Sequence, residues 1–593
     1  MHLQAPVLIR YGCDSDLFSL DSPILAFARQ QLDIYIERIF DSEAEPGRRL
    51  DVIFTSRTDA ELRHDGYSVT IGANEVTIAS AMERGILYGV YEWLRMLGCR
   101  FTFPAARLEI VPQIKSIELE EQTVRKSPWL EFRGLCLYDT TGETLGQTID
   151  RVDWMAKNNY NLLLTSIHRT DDSVDGMHAI LWDEVGDKLL PELRKRGIAI
   201  DMSEHSTDYF FPREHWFALH PEWFSFIDGK RVPRQICYSN PDAVREYASS
   251  FAAFARENHY FQLLGIWPLD GAGYCECDRC RDPLTLLRAN FYIADEIRRI
   301  RPDLLVEHLA YTPQSFARPR EELPSNMSVL VCNVNDQVAY EWGVVAKNGG
   351  GAFYFDYHTG DHYRFRSNLW INPFYVREMV NTFAAYDYRG IVSLYLPIAS
   401  WWQASLNYYY LSRFYYEPTA SVEELTAELS ADLFGARNRS SMTKVLMEIF
   451  RQLQDQTLWS GMPHKHSYYS EHISARNREL DRLHLEKMEI TLRRIETWIN
   501  EADYEGASPS EQTQLDYVRE YVRLQRLYFC CIDQYDADID RPERAEPYFH
   551  ALGELEQRYG SVFISENYAR WRIIGRDNIF DPLNVNSFQP RTS

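Results

Sequence analysis

No stretch of this 593-residue chain holds eighteen uninterrupted apolar residues, so no membrane-crossing helix is expected. Residues 1–20 lack the basic segment and apolar core of a secretory leader, and the chain carries no internal repeat and no low-complexity tract. Basic side chains are outnumbered, 63 Lys and Arg against 86 Asp and Glu, for a formal net charge of −23. A field of that sign repels nucleic acid and anionic membranes, so neither is expected as a partner. Cysteine is sparse as well: 10 residues lie scattered, two of them adjacent at Cys530 and Cys531, which fits reduced thiols better than a disulfide framework. A cytoplasmic protein is the expectation.

What the chain does have is length enough for three domains and aromatic residues at 14%, a level that suits both large cores and clefts that stack against sugar rings. Residues 1–118 alternate short apolar segments with a helix over 80–97 ending at Gly98, as in a small α/β domain. From 119 to 418 strand and helix patterns alternate, with strands expected near 132–139, 161–167, 197–203, 261–270, 304–311, 327–334, 352–357 and 390–397. Helical patterns fall at 148–158, 182–196, 242–258, 284–300, 373–387 and 404–416, and the connection after the sixth strand stays open. Eight strands in that alternation predict an α/β fold built on a (β/α)8 TIM barrel. Residues 419–593 turn helical, opening on the capping pattern Ser421-Val422-Glu423-Glu424.

Within the barrel, Phe261 to Leu269 drives an apolar strand into Asp270-Gly271, followed by Cys275, Cys277 and Cys280. Catalytic residues of such barrels sit at the carboxyl ends of strands, which makes Asp270 the first candidate, with a turn-capping role as its alternative. Before that strand, about 37 residues from Glu204 to Asn240 interrupt the third crossover and carry Phe210, Phe211, Trp216, Trp223 and Phe224. An insertion of that length suits a lid or binding loop, or aromatics that form a satellite core pinning the loop down, and the two can both hold. Three cysteines fall one short of the four ligands of structural zinc; Cys237 is a possible fourth, and a packed, reduced cluster without metal is the expectation.

These motifs resemble known families. Phe132-Arg133-Gly134-Leu135-Cys136-Leu137-Tyr138-Asp139 and the run Met155 to Leu164 resemble the first two barrel strands of glycoside hydrolase family 20, the β-N-acetylhexosaminidases. The helix over 80–97 with its Gly-Cys-Arg-Phe exit resembles the small domain shared by that family and the family 67 α-glucuronidases. A more specific resemblance, over about 80–435, is to the bacterial family catalogued as domain of unknown function 4838. It rests on His220-Pro221-Glu222-Trp223-Phe224, Asp228-Gly229-Lys230-Arg231, Cys237-Tyr238-Ser239-Asn240-Pro241, Asp270-Gly271-Ala272-Gly273-Tyr274 with the three cysteines, and Asn407-Tyr408-Tyr409. Some relatives are assigned to glycoside hydrolase family 163, endo-β-N-acetylglucosaminidases that use the substrate acetamide as nucleophile. The pattern departs in two places: Asp270 is followed by Gly271 where family 20 keeps an Asp-Glu pair, and Cys332-Asn333-Val334-Asn335-Asp336 lacks the Glu that relatives carry after strand six.

The resemblance implies a glycosidase acting on a β-linked N-acetylhexosamine-containing or related glycan, with a retaining, acetamide-assisted mechanism. Its expected partner is an oligosaccharide substrate and it needs no cofactor. Glycoside hydrolysis requires a protonated carboxyl and a second group that stabilises charge at the anomeric carbon. The catalytic candidates are Asp270, Glu307 and Asp356, Glu307 sharing parity with Tyr311 and Asp356 with His358. Candidates for holding substrate are Arg133, Asp139, His168, His205, Trp267, Tyr311, Asp336, His358 and Trp401. Parity says which residues share a face, not which face points inward, so Arg133 and Glu307 also fit structural ion pairs. A sugar-binding barrel without catalysis and an α-glucuronidase-like enzyme are the alternatives.

Overall fold

The computed structural model describes residues 1–4, 7–40, 49–56, 61–137, 145–167, 182–203, 205, 207–270, 273–319, 322–332, 336–356, 371–395, 401–459, 478–535, 546–560, 562–563 and 566. Eight strands close into a barrel in chain order: β1 Phe132–Leu137, β2 Leu162–Thr165, β3 Ala199–Met202, β4 Leu263–Gly265, β5 Leu305–Ala310, β6 Met327–Cys332, β7 Ala352–Asp356 and β8 Gly390–Tyr395. Every junction is parallel, including the closing one, where Gly390 to Tyr395 pair with Phe132 to Leu137. All eight expected strands are present, and the fold is the α/β barrel that their number and alternation predict. The fourth is only three residues long, because the chain leaves the sheet at Ile266 and runs on as a loop toward Asp270. The connection left open after the sixth strand holds a helix, Asp336–Ala346, whereas the described residues between β5 and β6 form turns and no helix.

Strand pleating sorts side chains to two sides of the barrel wall. Cys136, Leu164, Leu263, Leu309, Leu330 and Phe353 form a cluster of their own inside. Their sequence neighbours, such as Leu135, Leu163, Val329 and Tyr354, belong to the larger core between barrel and helices. A five-stranded sheet precedes the barrel, in the order Leu8–Asp14, Arg49–Thr55, Glu75–Ser80, Tyr67–Ile71, Gln122–Lys126, so it draws its edge strand from beyond residue 118. After the barrel come the helices Val422–Trp459, Arg478–Asn500, Pro509–Tyr535 and Glu546–Tyr559, where the helical composition placed them. Among the described residues no helix is long and apolar enough to cross a membrane.

The insertion after β3 is ordered rather than structureless. It folds into short helices, Thr207–Phe210 and Arg213–Leu219, and a hairpin of Phe224–Ile227 with Lys230–Ile236. Asp228 and Gly229 turn that hairpin with positive φ, 49° and 78°, the backbone of a two-residue turn that favours Asp-Gly. Its aromatics pack: Phe210 stacks on Phe251 at 3.8 Å, Phe211 on Trp216 at 5.7 Å, and Trp216 lies 5.1 Å from Trp223. The satellite core is therefore formed.

Arg133 faces away from the barrel axis, between two inward neighbours of β1, and is fully buried. Its Nε donates to Asn159 O (2.7 Å), Nη1 to Leu130 O and Glu131 O (2.9 and 3.1 Å), and Nη2 to both oxygens of Asp65 (2.8 and 2.7 Å). All five guanidinium donors are engaged, leaving none for a sugar, so Arg133 is the structural ion pair and not a substrate ligand. Asp65 also accepts from Asn161 Nδ2 at 2.9 Å and Arg84 Nε at 2.8 Å. Burial alone would raise its carboxyl, but the charges of Arg133 and Arg84 hold it below the usual range. Because Asp65 and Arg84 come from the first domain, the pair fastens that domain to the barrel. Replacing one member strands a buried charge, so Arg133→Met is expected to cost about 3–5 kcal/mol in denaturant unfolding. The double variant Arg133→Met with Asp65→Asn should recover part of that loss; an Arg133→Met protein as stable as the parent would refute the role.

Candidate functional site

The described part of the barrel mouth is built by β3, β4 and β5 and the loops that follow them. β3 carries Asp201 inside the wall, and the same parity continues through Ser203 to His205. On β5, Glu307 pairs in register with Gly265 of β4 and is fully buried. Trp267 follows β4 on the inward side, packed against the interior cluster, with Tyr311 partly buried beside it at the end of β5.

Glu307 sits beneath Trp267. Its Oε1 accepts from Trp267 Nε1 at 3.1 Å and lies 3.5 Å from Ser203 Oγ, while the single Ser203 hydroxyl proton goes to Asp201 at shorter range. Oε2 of Glu307 has no hydrogen-bond partner among the described residues. Burial, then the charge of Asp201, pushes the Glu307 carboxyl well above the usual carboxylate range, and the bonds from Trp267 and Ser203 only partly oppose it. Glu307 thus keeps its proton at a pH where a free glutamic acid has lost it.

Above this layer, residues 267–270 hang on the insertion. Thr207 Oγ1 donates to Trp267 O at 3.0 Å, and the Gln235 carboxamide grips Leu269 from both sides, Nε2 to O at 2.6 Å and backbone N to Oε1 at 3.1 Å. His205 Nδ1 lies 2.6 Å from Pro268 O, an acceptor, so Nδ1 is the protonated nitrogen. That leaves Nε2 facing the partly exposed Asp270 carboxylate at 3.7 Å, an approach that is favourable when a proton lies between them. The His205 ring meets Trp267 edge-on at 5.3 Å and lies 6.1 Å from Tyr311. Together these residues make a carboxyl-imidazole pair flanked by aromatic faces, over a buried carboxylic acid.

His205, Trp267, Asp270, Glu307 and Tyr311 are thereby brought together. Asp356 is not: it shares the outward parity of Tyr354, and its carboxylate accepts from Tyr375 Oη at 2.5 Å on the surrounding helix Pro373–Ala385. It lies in the layer between barrel and helices, the wrong side of the wall for a sugar. Asp336 is exposed at the first position of its helix, where a carboxylate suits the helix dipole. Trp401 begins the helix Trp401–Phe414, its side chain outside the described residues, and Asp139, His168 and His358 fall outside them as well.

Three residues were missed. Asp201 was legible as an acid inside the apolar run Ile198-Ala199-Ile200-Asp201-Met202, and Ser203 by its parity with it. Gln235 had no signal, since its role lies in a long-range contact. The three cysteines after Asp270 are joined by Cys237, so the thiol set numbers four, with all sulfurs within 4.8 Å of one another.

The chain belongs to the family described as "Domain of unknown function (DUF4838)", which matches residues 103–446. No curated protein matches it in sequence. Among solved structures, a family GH115 4-O-methyl-α-glucuronidase with specificity for decorated arabinogalactans superposes with a TM-score of 0.65 at 10% identity, over 95% of this chain and 79% of that one. A GH138 enzyme targeting pectin rhamnogalacturonan II gives 0.57 at 11% identity, over 96% and 76%. The GH89 enzyme from Clostridium perfringens, solved with its substrate GlcNAc-α-1,4-galactose, gives 0.57 at 14% identity, over 90% and 66%. At these identities the likeness is one of fold.

A buried acid with a raised folded value binds its proton more tightly than the unfolded chain does. Its favourable contribution is complete below the unfolded value and is lost as pH rises through the folded one. Glu307→Gln keeps an acceptor for Trp267 and carries no charge. The melting temperature of this variant relative to the parent is therefore expected to climb with rising pH. A difference that stays flat, or falls, across thermal melts from acidic to alkaline buffer would show that Glu307 is not held protonated.

Proposed function

We propose that this member of the DUF4838 family is a glycoside hydrolase, with Asp270 as the group that acts at the reacting centre. The observation that carries the reading is the exposed Asp270 carboxylate at the carboxyl end of a barrel strand, facing His205 Nε2 at 3.7 Å beside the faces of Trp267 and Tyr311. The three solved structures above share the barrel, and each is described by its action on a glycan, which supports a carbohydrate substrate.

Asp270 and His205, a carboxyl and an imidazole 3.7 Å apart, place two proton-transfer groups where one can protonate a leaving oxygen and the other take a proton back from water or an acetamide. Trp267, nearly buried and pinned from below by its hydrogen bond to Glu307, gives the site a rigid aromatic floor. Glu307 itself positions that ring and, sealed under it, is not in reach of substrate in this conformation. The substrate is a β-linked N-acetylhexosamine-containing glycan, and the acetamide-assisted route is the form of retaining hydrolysis that asks least of a site whose described residues present one exposed carboxylate. The absence of a disulfide among the described cysteines accords with a cytoplasmic enzyme.

A panel of aryl glycosides offered as N-acetyl and non-acetyl pairs, together with an aryl uronide, tests this directly. Turnover is expected for the N-acetyl member of one pair, and Asp270→Asn should lower kcat by about 10²–10⁴-fold without changing the melting temperature. Preference for the uronide would replace the hexosamine assignment. Tight oligosaccharide binding with no product from any substrate would instead establish a non-catalytic barrel.

A further inference from the structure

Cys237 ends the insertion's hairpin, and Cys275, Cys277 and Cys280 lie in the loop that carries Asp270. Their sulfurs converge from two separate segments: Cys237 is 3.5 Å from Cys275, 3.9 Å from Cys277 and 3.8 Å from Cys280. A tetrahedral zinc with Zn–S bonds of about 2.3 Å requires sulfur-sulfur edges of about 3.8 Å. The three edges from Cys237 match that spacing, and all four sulfurs lie within 4.8 Å of one another.

Their surroundings are those of charged sulfur. The Phe226 backbone N–H points at Cys275 Sγ at 3.3 Å, the Arg231 guanidinium lies 3.9 Å from the same atom, and the Ser239 hydroxyl is 3.4 Å from both Cys237 and Cys277. Cys280 N and Arg281 N both donate to Cys277 O, at 2.9 and 3.1 Å, folding the Cys-x-x-Cys turn that aims two sulfurs at one point. Four neutral thiols are weak acceptors for the N–H and guanidinium groups gathered here. A divalent cation displaces their four protons and leaves a net double negative charge for the N–H groups and Arg231 to stabilise.

We infer that Cys237, Cys275, Cys277 and Cys280 bind one structural zinc ion, which clamps the insertion after β3 to the loop that presents Asp270. The two segments already lie in close register around the site: Glu276 N donates to Phe226 O at 2.8 Å and Ser225 Oγ to Gly273 O at 2.7 Å. Gly273 has φ of +103°, and a Cβ there would come within 3.1 Å of Arg234 Cβ, so the loop approaches the hairpin as a bare backbone. With four protein sulfurs and no open position, the ion takes no part in catalysis. It fixes where the Gln235 grip on Leu269, two residues before Cys237, holds the strand end.

Elemental analysis of the full-length protein, purified under reducing conditions and dialysed against a metal-free buffer, is expected to find one zinc per chain. A mercurial thiol reagent should release that zinc to a chromophoric chelator as four thiols react, and cobalt exchanged into the site should show the intense visible bands of a tetrahedral tetrathiolate. Cys277→Ser, at a partly exposed corner, should lose the metal and expose residues 224–237 and 268–282 to faster hydrogen exchange. Zinc well below one per chain after dialysis, together with no cobalt bands, would overturn the site, as would a Cys237–Cys275 disulfide in the protein purified without reductant. One iron per chain would overturn the assignment to zinc. None of these readouts uses a glycan, so the result stands apart from whether the barrel cleaves one.

Discussion

The wall of the closed barrel excludes water from both of its faces, and that exclusion governs every ionisable group set into it. Glu307 and His308 show this at adjacent positions of β5. One points to the axis and the other to the helices, and both are fully buried. Desolvation disfavours whichever form carries charge, so it raises the acid and lowers the base. Glu307 is held well above its usual range, and His308 is pushed down to about 4 while bonded to Asn290 Nδ2 at 2.8 Å and Ser315 O at 3.1 Å. Both are neutral for the same reason.

At Arg133 and Asp65 charge persists in the interior with a full set of partners. Arg133 and Asp65 remain ionised because every guanidinium donor has an acceptor and the carboxylate has two cations and an amide. A second ion pair, Lys157 with Glu109 at 2.5 Å, joins the same two domains farther along, and Arg196 pairs with Asp153 beside it within the barrel region at 2.6 Å. Complete pairing of this kind marks structure. Glu307 has one oxygen bonded and the other without a hydrogen-bond partner among the described residues, and Asp270 is partly exposed with an imidazole at 3.7 Å.

That distinction also explains what could be read from the residues alone. The number, order and approximate bounds of the strands were legible because each is an apolar run framed by breakers and helical patterns. The inward face was not, because a strand buried on both sides shows apolar residues at every position. In Phe132-Arg133-Gly134-Leu135-Cys136 the small and aromatic residues take the axis and the Arg turns outward. In Phe353-Tyr354-Phe355-Asp356 the phenylalanines fill the barrel, so the Tyr and Asp that resemble substrate contacts meet the helix layer instead. Three of the cysteines were legible as a cluster and Cys237 only as a possible fourth, since it stands 38 residues before its nearest partner in sequence and the folded insertion brings it back.

The same insertion decides the position of Asp270 more than the barrel does. β4 has only three residues, and ladder hydrogen bonds cannot hold a residue five positions beyond Gly265. Thr207, His205 and Gln235 supply what the strand does not, each binding one carbonyl of the segment 267–269. The aromatic stack of Phe211, Trp216 and Trp223 gives those three residues a rigid base, set on the helix Pro241–Glu257 through Phe210 against Phe251 and Phe211 near Tyr247. A lid would need few such contacts so that it could open. An element packed this way works as a bracket, and a loosened bracket would move Asp270 relative to Trp267 before it disturbed any strand of the barrel.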